Sequence, residues 1–340
     1  MKNIVLIFSE AMEGSTDMVL EWLDYYGQPY YRVNDNDTIS FKSLTLTEQG
    51  LTFDFIINKS TTIRSSQIKS FWYRRGHIVL QLSARRLFDT FDAIDLPKAI
   101  RNKIYGHLRR EMDRLNIILY DYLENYIPSV GKWSNAINNK LVHFMQAKKL
   151  GIKTPCSYIC TDKISLLQHV QEAGHKAFVL KSISDALTLT FLTDENTSVE
   201  CILYAEQLDH NLLDTIPETF FPSLLQEKLD KKYEIRTFYL HGEFFSMAIF
   251  SQNDAQTRID FRKYNYKKPN RFVPYRLPKK LANRLRQFMK TVNLNTGSID
   301  MVVTQDDDYY FLEVNPVGQF GMVSIPCNYH LEKRIAMSLM

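Results

Sequence analysis

A chain of 340 residues has room for two or three domains or one large bilobed enzyme. Its 45% hydrophobic and 24% charged residues are the mix of a soluble globular protein, and no segment approaches the roughly 20 consecutive apolar residues of a membrane-spanning helix. The net charge of +4 is uneven: Lys228 to Lys290 holds 16 Lys or Arg against 5 Asp or Glu. That excess suits an anionic ligand, a nucleotide or an acidic peptide, and no RNA- or DNA-binding motif accompanies it.

In chain order, MKNIVLIFSE is a short apolar run followed by Glu10 and Glu13, so Asn3–Ser9 reads as a buried first strand and not a signal peptide. Ser15 and Thr16 are good N-caps for a helix carrying Met18, Leu20, Trp22 and Leu23, which stops at Gly27. Strands are predicted at Tyr30–Val33, Ser43–Leu46, Leu51–Ile57 and Ser70–Tyr73, the middle pair as a hairpin turning at Glu48-Gln49-Gly50. Pro97 to Asn125 has helical apolar spacing with many charges outside, and reads as a helix linking a first domain to a second.

The second half alternates short strands and helices. Asn135–Leu150 reads as a helix closed by Gly151; Pro155–Cys160 and Ala177–Ser182 read as strands flanking a helix at Ile164–Ala173. Leu187–Leu192 is predicted to pair back on Ala177–Ser182, and Leu224–Leu229 is a short strand. Glu234–Leu240 and Glu243–Phe250 form a hairpin around His241-Gly242, and a helix at Lys279–Val292 precedes two final strands and a C-terminal helix. Cys156, Cys160, Cys201 and Cys327 are too few and scattered for a disulfide framework, which points to the cytoplasm. The eight histidines have no metal-like pairing, and neither a Walker A nor a nucleophile-elbow string is present.

The most informative segment is TGSIDMVVTQDDDYYFLEVNPVGQFG, Thr296 to Gly321, two β-runs joined by an acidic turn. With Asp306-Asp307 as a two-residue turn, Asp300 falls opposite Glu313, their Cβ atoms about 5 Å apart, and Asn315 lies on the same face. Two facing carboxylates in an apolar hairpin repel, and desolvation worsens the cost. A divalent cation removes the conflict. Hard oxygens of this kind suit Mg²⁺, which takes one or two carboxylates plus nucleotide phosphates. An exposed hairpin face is the alternative.

An aspartate on one strand followed by Glu-x-Asn on the next, with Pro316 and Gly318 after it, resembles the metal-binding signature of ATP-grasp enzymes. The resemblance implies a mixed α/β (α+β) ATP-grasp fold using ATP and Mg²⁺. By its pattern, Lys140 near the start of a central subdomain and Lys181 at the end of the strand run AFVLK would hold phosphates. LLQEKLDKKYEIRTFYL resembles the hinge between the lobes: Gln226, Glu227 and the backbone through Leu229 would meet the adenine, and Glu234 would lie near the ribose or hinge. Arg236, on the same strand face as Glu234, would balance charge on the transferred phosphoryl group. A surface ion pair is the alternative for these two. Asp260-Phe261-Arg262 resembles the Asp-x-Arg segment of the peptide-modifying branch, where Arg262 would grip the acyl-phosphate or an acidic side chain; a solvated charge run is the alternative there.

IVLIFSE, WLDYYGQPYYRVN and SFWYRRG resemble the pre-ATP-grasp domain of graspetide synthetases, the microviridin ligases among them, with the grasp-with-spasm maturases the best match. The resemblance runs from Ile4 to about Met340. It implies a pre-ATP-grasp domain with its linking helix at 1–130, a central lysine-bearing subdomain at 131–225 and a metal-bearing subdomain at 226–340. It also implies activation of side-chain carboxylates of a ribosomal precursor peptide as acyl-phosphates, closed to ω-esters or ω-amides. The leader segment of that peptide would dock near Leu187–Leu192. Neither nucleic acid nor membrane is expected as a partner, and the oligomeric state is open, a homodimer included. The rival readings are a ligase adding free amino acids, phosphotransfer to a hydroxyl, and a degenerate domain that only binds.

Overall fold

The computed structural model describes residues 3–76, 78–80, 97–133, 139–174, 176–183, 188–192, 198–202, 205–254, 256–258, 263 and 265–340. The chain divides into two compact units, residues 1–136 with 330–340, and residues 137–329.

The first unit begins with β1 (Ile4–Ser9), whose Val5, Leu6, Ile7 and Phe8 are all fully buried. A near-continuous apolar run is what a strand covered on both faces of a parallel sheet requires. Helix α1 (Gly14–Tyr25) and β2 (Tyr30–Asn34) follow, then the antiparallel β3 (Ile39–Thr47), β4 (Gly50–Ile57) and β5 (Thr61–Arg64), a three-stranded sheet of its own. The third of these strands is short and bounded by turn residues, and the sequence pattern did not single it out. Next come β6 (Ile68–Tyr73), α2 (Lys98–Asn125) and β7 (Ser129–Val130). The parallel sheet has the order β2-β1-β6-β7.

Two local features differ from expectation. The N-cap of α1 is Glu13, whose carboxylate accepts from Thr16 N at 2.7 Å; the Thr16 hydroxyl turns inward to Ser9 Oγ at 2.7 Å. The C-terminal half of α2 is core: Leu119, Tyr120 and Leu123 are buried, and Tyr120 stacks on Trp133 with ring centroids 4.3 Å apart. The chain's last helix, Leu331–Leu339, also packs in this unit, its Leu339 carbonyl accepting from Ser70 Oγ at 2.5 Å.

The second unit holds α3 (Lys140–Lys149), β8 (Ser157–Asp162), α4 (Lys163–Glu172), β9 (Phe178–Lys181), β10 (Thr188–Leu192), β11 (Ser198–Ile202), β12 (Glu206–Gln207), α5 (His210–Thr215) and β13 (Thr219–Glu227). It continues through β14 (Lys231–Leu240), β15 (Glu243–Phe250), β16 (Arg271–Tyr275), α6 (Lys279–Thr291), β17 (Thr296–Thr304), β18 (Tyr309–Asn315) and α7 (Gly321–Cys327). One sheet runs β12-β9-β13-β8, a second β16-β15-β14-β17-β18, and β10-β11 form a separate antiparallel pair. The expected pairing of Leu187–Leu192 onto Ala177–Ser182 is therefore wrong. Both edges of β9 are occupied, by β12 and β13, so β10 pairs with its sequence neighbour β11.

The core of this unit lies between one face of the five-stranded sheet and helices α3 and α6. Leu285, Phe288 and Met289 of α6 pack with Phe144 and Ala147 of α3 on Ile299, Met301, Val303, Phe311 and Val314. Burying each such side chain contributes about 1.5–3 kcal/mol, and truncating Phe288 to Ala would cost about 3–5 kcal/mol. Period-two alternation then forces the even-numbered side chains of β14 and β17 onto the opposite face. That face carries the polar residues considered next.

Candidate functional site

Asp300 stands opposite Glu313, and Ser298 opposite Asn315. The route to that register is not the one expected. The turn has three residues, with Asp307 in the left-handed region at φ 59°, and is closed by Asp307 N to Thr304 O and Thr304 N to Asp308 O, both 3.0 Å. A three-residue turn shifts the pairing by one, so Met301 faces Phe311 and Val303 faces Tyr309. A one-residue bulge at Leu312 then restores the register before Glu313. Turn and bulge cancel.

A charged row crosses the sheet at this level. Arg236 on β14 pairs with Asp300 on β17, which pairs with Glu313 on β18. Arg236 Nη1 donates to Asp300 Oδ2 at 3.3 Å, and Lys140 Nζ, on the first residue of α3, lies 3.1 Å from Glu313 Oε2. The repulsion expected between the carboxylates is thus relieved from both flanks. Asn315 Oδ1 accepts from Val317 N at 3.1 Å and Gly318 N at 3.2 Å, folding the chain back beside β17. Gly318 has φ 58°, and a Cβ there would meet Ser298 N at 2.9 Å, so the close approach needs glycine.

The donor set fits a hard cation such as Mg²⁺: Asp300 and Glu313 offer carboxylate oxygens and Asn315 an amide oxygen. Among the described residues no group of three or more His, Cys, Asp or Glu side chains gathers as a metal site. Two carboxylates would leave the remaining positions to Asn315, water or phosphate oxygens.

The other expected residues sort into three groups. Lys181 Nζ donates to Gln226 Oε1 at 2.8 Å across β9 and β13, and Gln226 Nε2 donates to Ser157 Oγ at 3.2 Å. Glu227 exchanges backbone and side-chain bonds with Cys156, and Lys176 lies 2.8 Å from its Oε1; Leu229 follows, half-buried, just beyond the strand. Glu234 is buried on the same face as Arg236, yet the two do not form a surface ion pair. Its Oε1 accepts from Lys231 Nζ at 2.7 Å and its Oε2 from Ser251 Oγ at 2.6 Å. Asp260 and Arg262 lie outside the described residues.

Sequence reasoning missed the partners in this network. Ser251 is fully buried, its carbonyl accepts from Thr257 Oγ1 at 2.9 Å, and Thr257 Oγ1 also meets Asn270 Oδ1 at 3.1 Å. Glu234 thereby holds Ser251, and Thr257 links Ser251 to Asn270. Nothing local marks these residues, since each is a small polar side chain in a loop.

With a lysine-bearing four-stranded sheet and a five-stranded antiparallel sheet carrying paired carboxylates, the chain has the fold of solved ATP-grasp structures. Among solved structures, the chain resembles a RiPP-associated ATP-grasp ligase from Chryseobacterium gregarium in complex with ADP and a leader and core peptide, at 22% identity and TM-score 0.73, over 99% of this chain and 95% of that one. It also resembles the macrocyclase MdnC of Microcystis aeruginosa bound to precursor peptide MdnA, at 23% identity and TM-score 0.71, over 99% of both chains. The ATP-grasp ligase PsnB, complexed with minimal precursor, Mg and ADP, matches at 14% identity and TM-score 0.65, over 100% and 98%. The sequence matches no protein-family model and no curated protein.

Proposed function

We propose that this chain is an ATP-dependent ligase that crosslinks a ribosomal precursor peptide. The observation that carries the reading is the Arg236–Asp300–Glu313 row, set on a fold shared over nearly full length with ligases complexed with ADP and peptide. A side-chain carboxylate oxygen of the peptide would attack the terminal phosphorus of ATP, giving an acyl-phosphate and ADP. A Ser or Thr hydroxyl, or a Lys amine, of the same peptide would then attack the acyl carbon. Phosphate leaves, and an ω-ester or ω-amide remains.

A divalent cation held by Asp300, Glu313 and Asn315 would supply charge neutralisation to the phosphates. The protein's own part is positioning and fixed positive charge. Arg236, held in place by Asp300, presents a planar guanidinium whose charge would oppose that developing on the transferred phosphoryl group. Lys140 and Lys181 would meet phosphate oxygens, and Gln226 through Leu229 the adenine. Arg262, in the Asp260-Phe261-Arg262 segment, would grip the peptide carboxylate or its acyl-phosphate by a bidentate contact. The basic Lys228–Lys290 stretch would draw both nucleotide and an acidic peptide inward. The free thiols of Cys156, Cys160 and Cys327 support a reducing, cytoplasmic setting.

Mass spectrometry of the precursor peptide after incubation with ATP and magnesium tests this. Each bond formed removes one water, with ADP and phosphate released in step. Mild alkali restores the mass of esters and leaves amides. Gain of a free amino acid's mass would instead establish the amino-acid-adding reaction, and gain of stable phosphate would establish phosphotransfer.

A further inference from the structure

The two cations that flank the carboxylate pair are held in different ways. Arg236 belongs to the sheet: its strand neighbours are fixed by pairing on both sides, its side chain is 8% exposed, and its partner Asp300 lies directly across in register. Lys140 does not belong to the sheet. It is the first residue of α3, a helix fixed by its Asn139 cap and the buried Phe144 and Ala147, and it reaches Glu313 through a four-carbon side chain. Its ammonium lies 3.1 Å from Glu313 Oε2, the side chains being 12% and 26% exposed. A compact, singly charged ammonium on a carboxylate oxygen occupies the place a small hard cation would take.

We propose that Lys140 is a displaceable counter-ion for the carboxylate pair. It neutralises Glu313 while the pair holds no divalent cation, and gives Glu313 up when a cation arrives. The released ammonium is then available to an anionic ligand beside the site. Cation entry and Lys140 release become one equilibrium, so any anion that draws Lys140 away strengthens cation binding, and the cation strengthens anion binding by the same factor. Arg236 cannot exchange in this way, because leaving Asp300 would strand a buried guanidinium. The inference rests on the reading of Asp300 and Glu313 as a cation site.

Mn²⁺ binding to the full chain without nucleotide, followed by the electron paramagnetic resonance of free Mn²⁺, tests it. Lys140→Met and Lys140→Gln should each tighten Mn²⁺ on the order of fivefold to fiftyfold. Lys140→Arg should not tighten it. Lys153→Met, which removes an exposed lysine 2.5 Å from Asp308 on the neighbouring turn, should leave the affinity within about twofold, as expected of a screened surface charge. Unchanged or weaker binding in both neutral Lys140 variants overturns the proposal. Equal tightening by Lys153→Met overturns it too, since the effect would then be one of general charge. Loss of binding in Glu313→Gln supports the cation site on which the proposal stands, whereas Mn²⁺ binding that survives Glu313→Gln removes the cation site itself.

Discussion

Arg74 Nη2 donates to Glu13 Oε1 at 2.9 Å, joining the residue after β6 to the cap of α1, with the two side chains 1% and 10% exposed. One carboxylate thus serves a helix N-terminus and a buried guanidinium together. Glu13→Ala should destabilise the protein by about 3–5 kcal/mol, the cost of breaking a buried pair by removing one partner. Denaturant unfolding read by tryptophan fluorescence measures it, and a loss under about 1 kcal/mol would contradict the role.

The same pair has a pH signature. Burial by itself would raise the Glu13 carboxyl, but the Arg74 charge and the hydrogen bonds from Thr16 and Arg74 together outweigh it and hold it below the ordinary value of 4.5. Arg74 is lowered by its own burial, with Glu13 working in the opposite sense. A depressed carboxyl contributes stability in full above its unfolded pKa, and the contribution is lost as pH falls through the folded one. Stability should therefore fall below about pH 4.5 more steeply in the natural protein than in Glu13→Gln. Urea midpoints across that range would show it.

Asp300→Ala should abolish magnesium-dependent ATP turnover in the proposed reaction. It should also destabilise the protein by about 1–3 kcal/mol, because it removes a charged partner of the buried Arg236. Relief of carboxylate repulsion would predict the opposite sign. A thermal melt alongside an ADP assay separates the two.

Arg236→Lys keeps the charge and loses the planar fork. ATP affinity should stay near normal while single-turnover phosphoryl transfer slows by about 10²–10³-fold, the usual cost of one stabilising donor. An unchanged rate would show that Arg236 only balances Asp300.

Ser251→Ala removes the hydroxyl that joins Glu234 to the 251–270 segment. It should cost about 1–3 kcal/mol and speed tryptic cleavage after the exposed Arg258 without a matching change elsewhere in the chain. Equal cleavage in the two proteins would mean that Glu234 does not anchor the loop.

The period-two alternation of β18 was enough to place Glu313 and Asn315 on one face, because side-chain direction along a strand is a local property; that Asp300 stands opposite Glu313 depends on the turn and the bulge together. The same reasoning put Glu234 beside Arg236 and laid the apolar stripe of Lys279–Thr291 toward a core. Hairpins at His241-Gly242 and Glu48-Gln49-Gly50 were legible from their turn residues, though Gly50 pairs with Thr47 and belongs to the strand. Only the tertiary structure decided the rest. The Leu312 bulge that cancels a three-residue turn leaves no mark in the local pattern. The partners of these carboxylates, Arg74 for Glu13, Ser251 for Glu234 and Lys140 for Glu313, come from residues well separated in the chain. That β9 offers β10 no edge follows from β12 and β13 occupying both sides of it. Periodicity carries the direction of a side chain; what that side chain meets is set by which distant surfaces the packed core brings together.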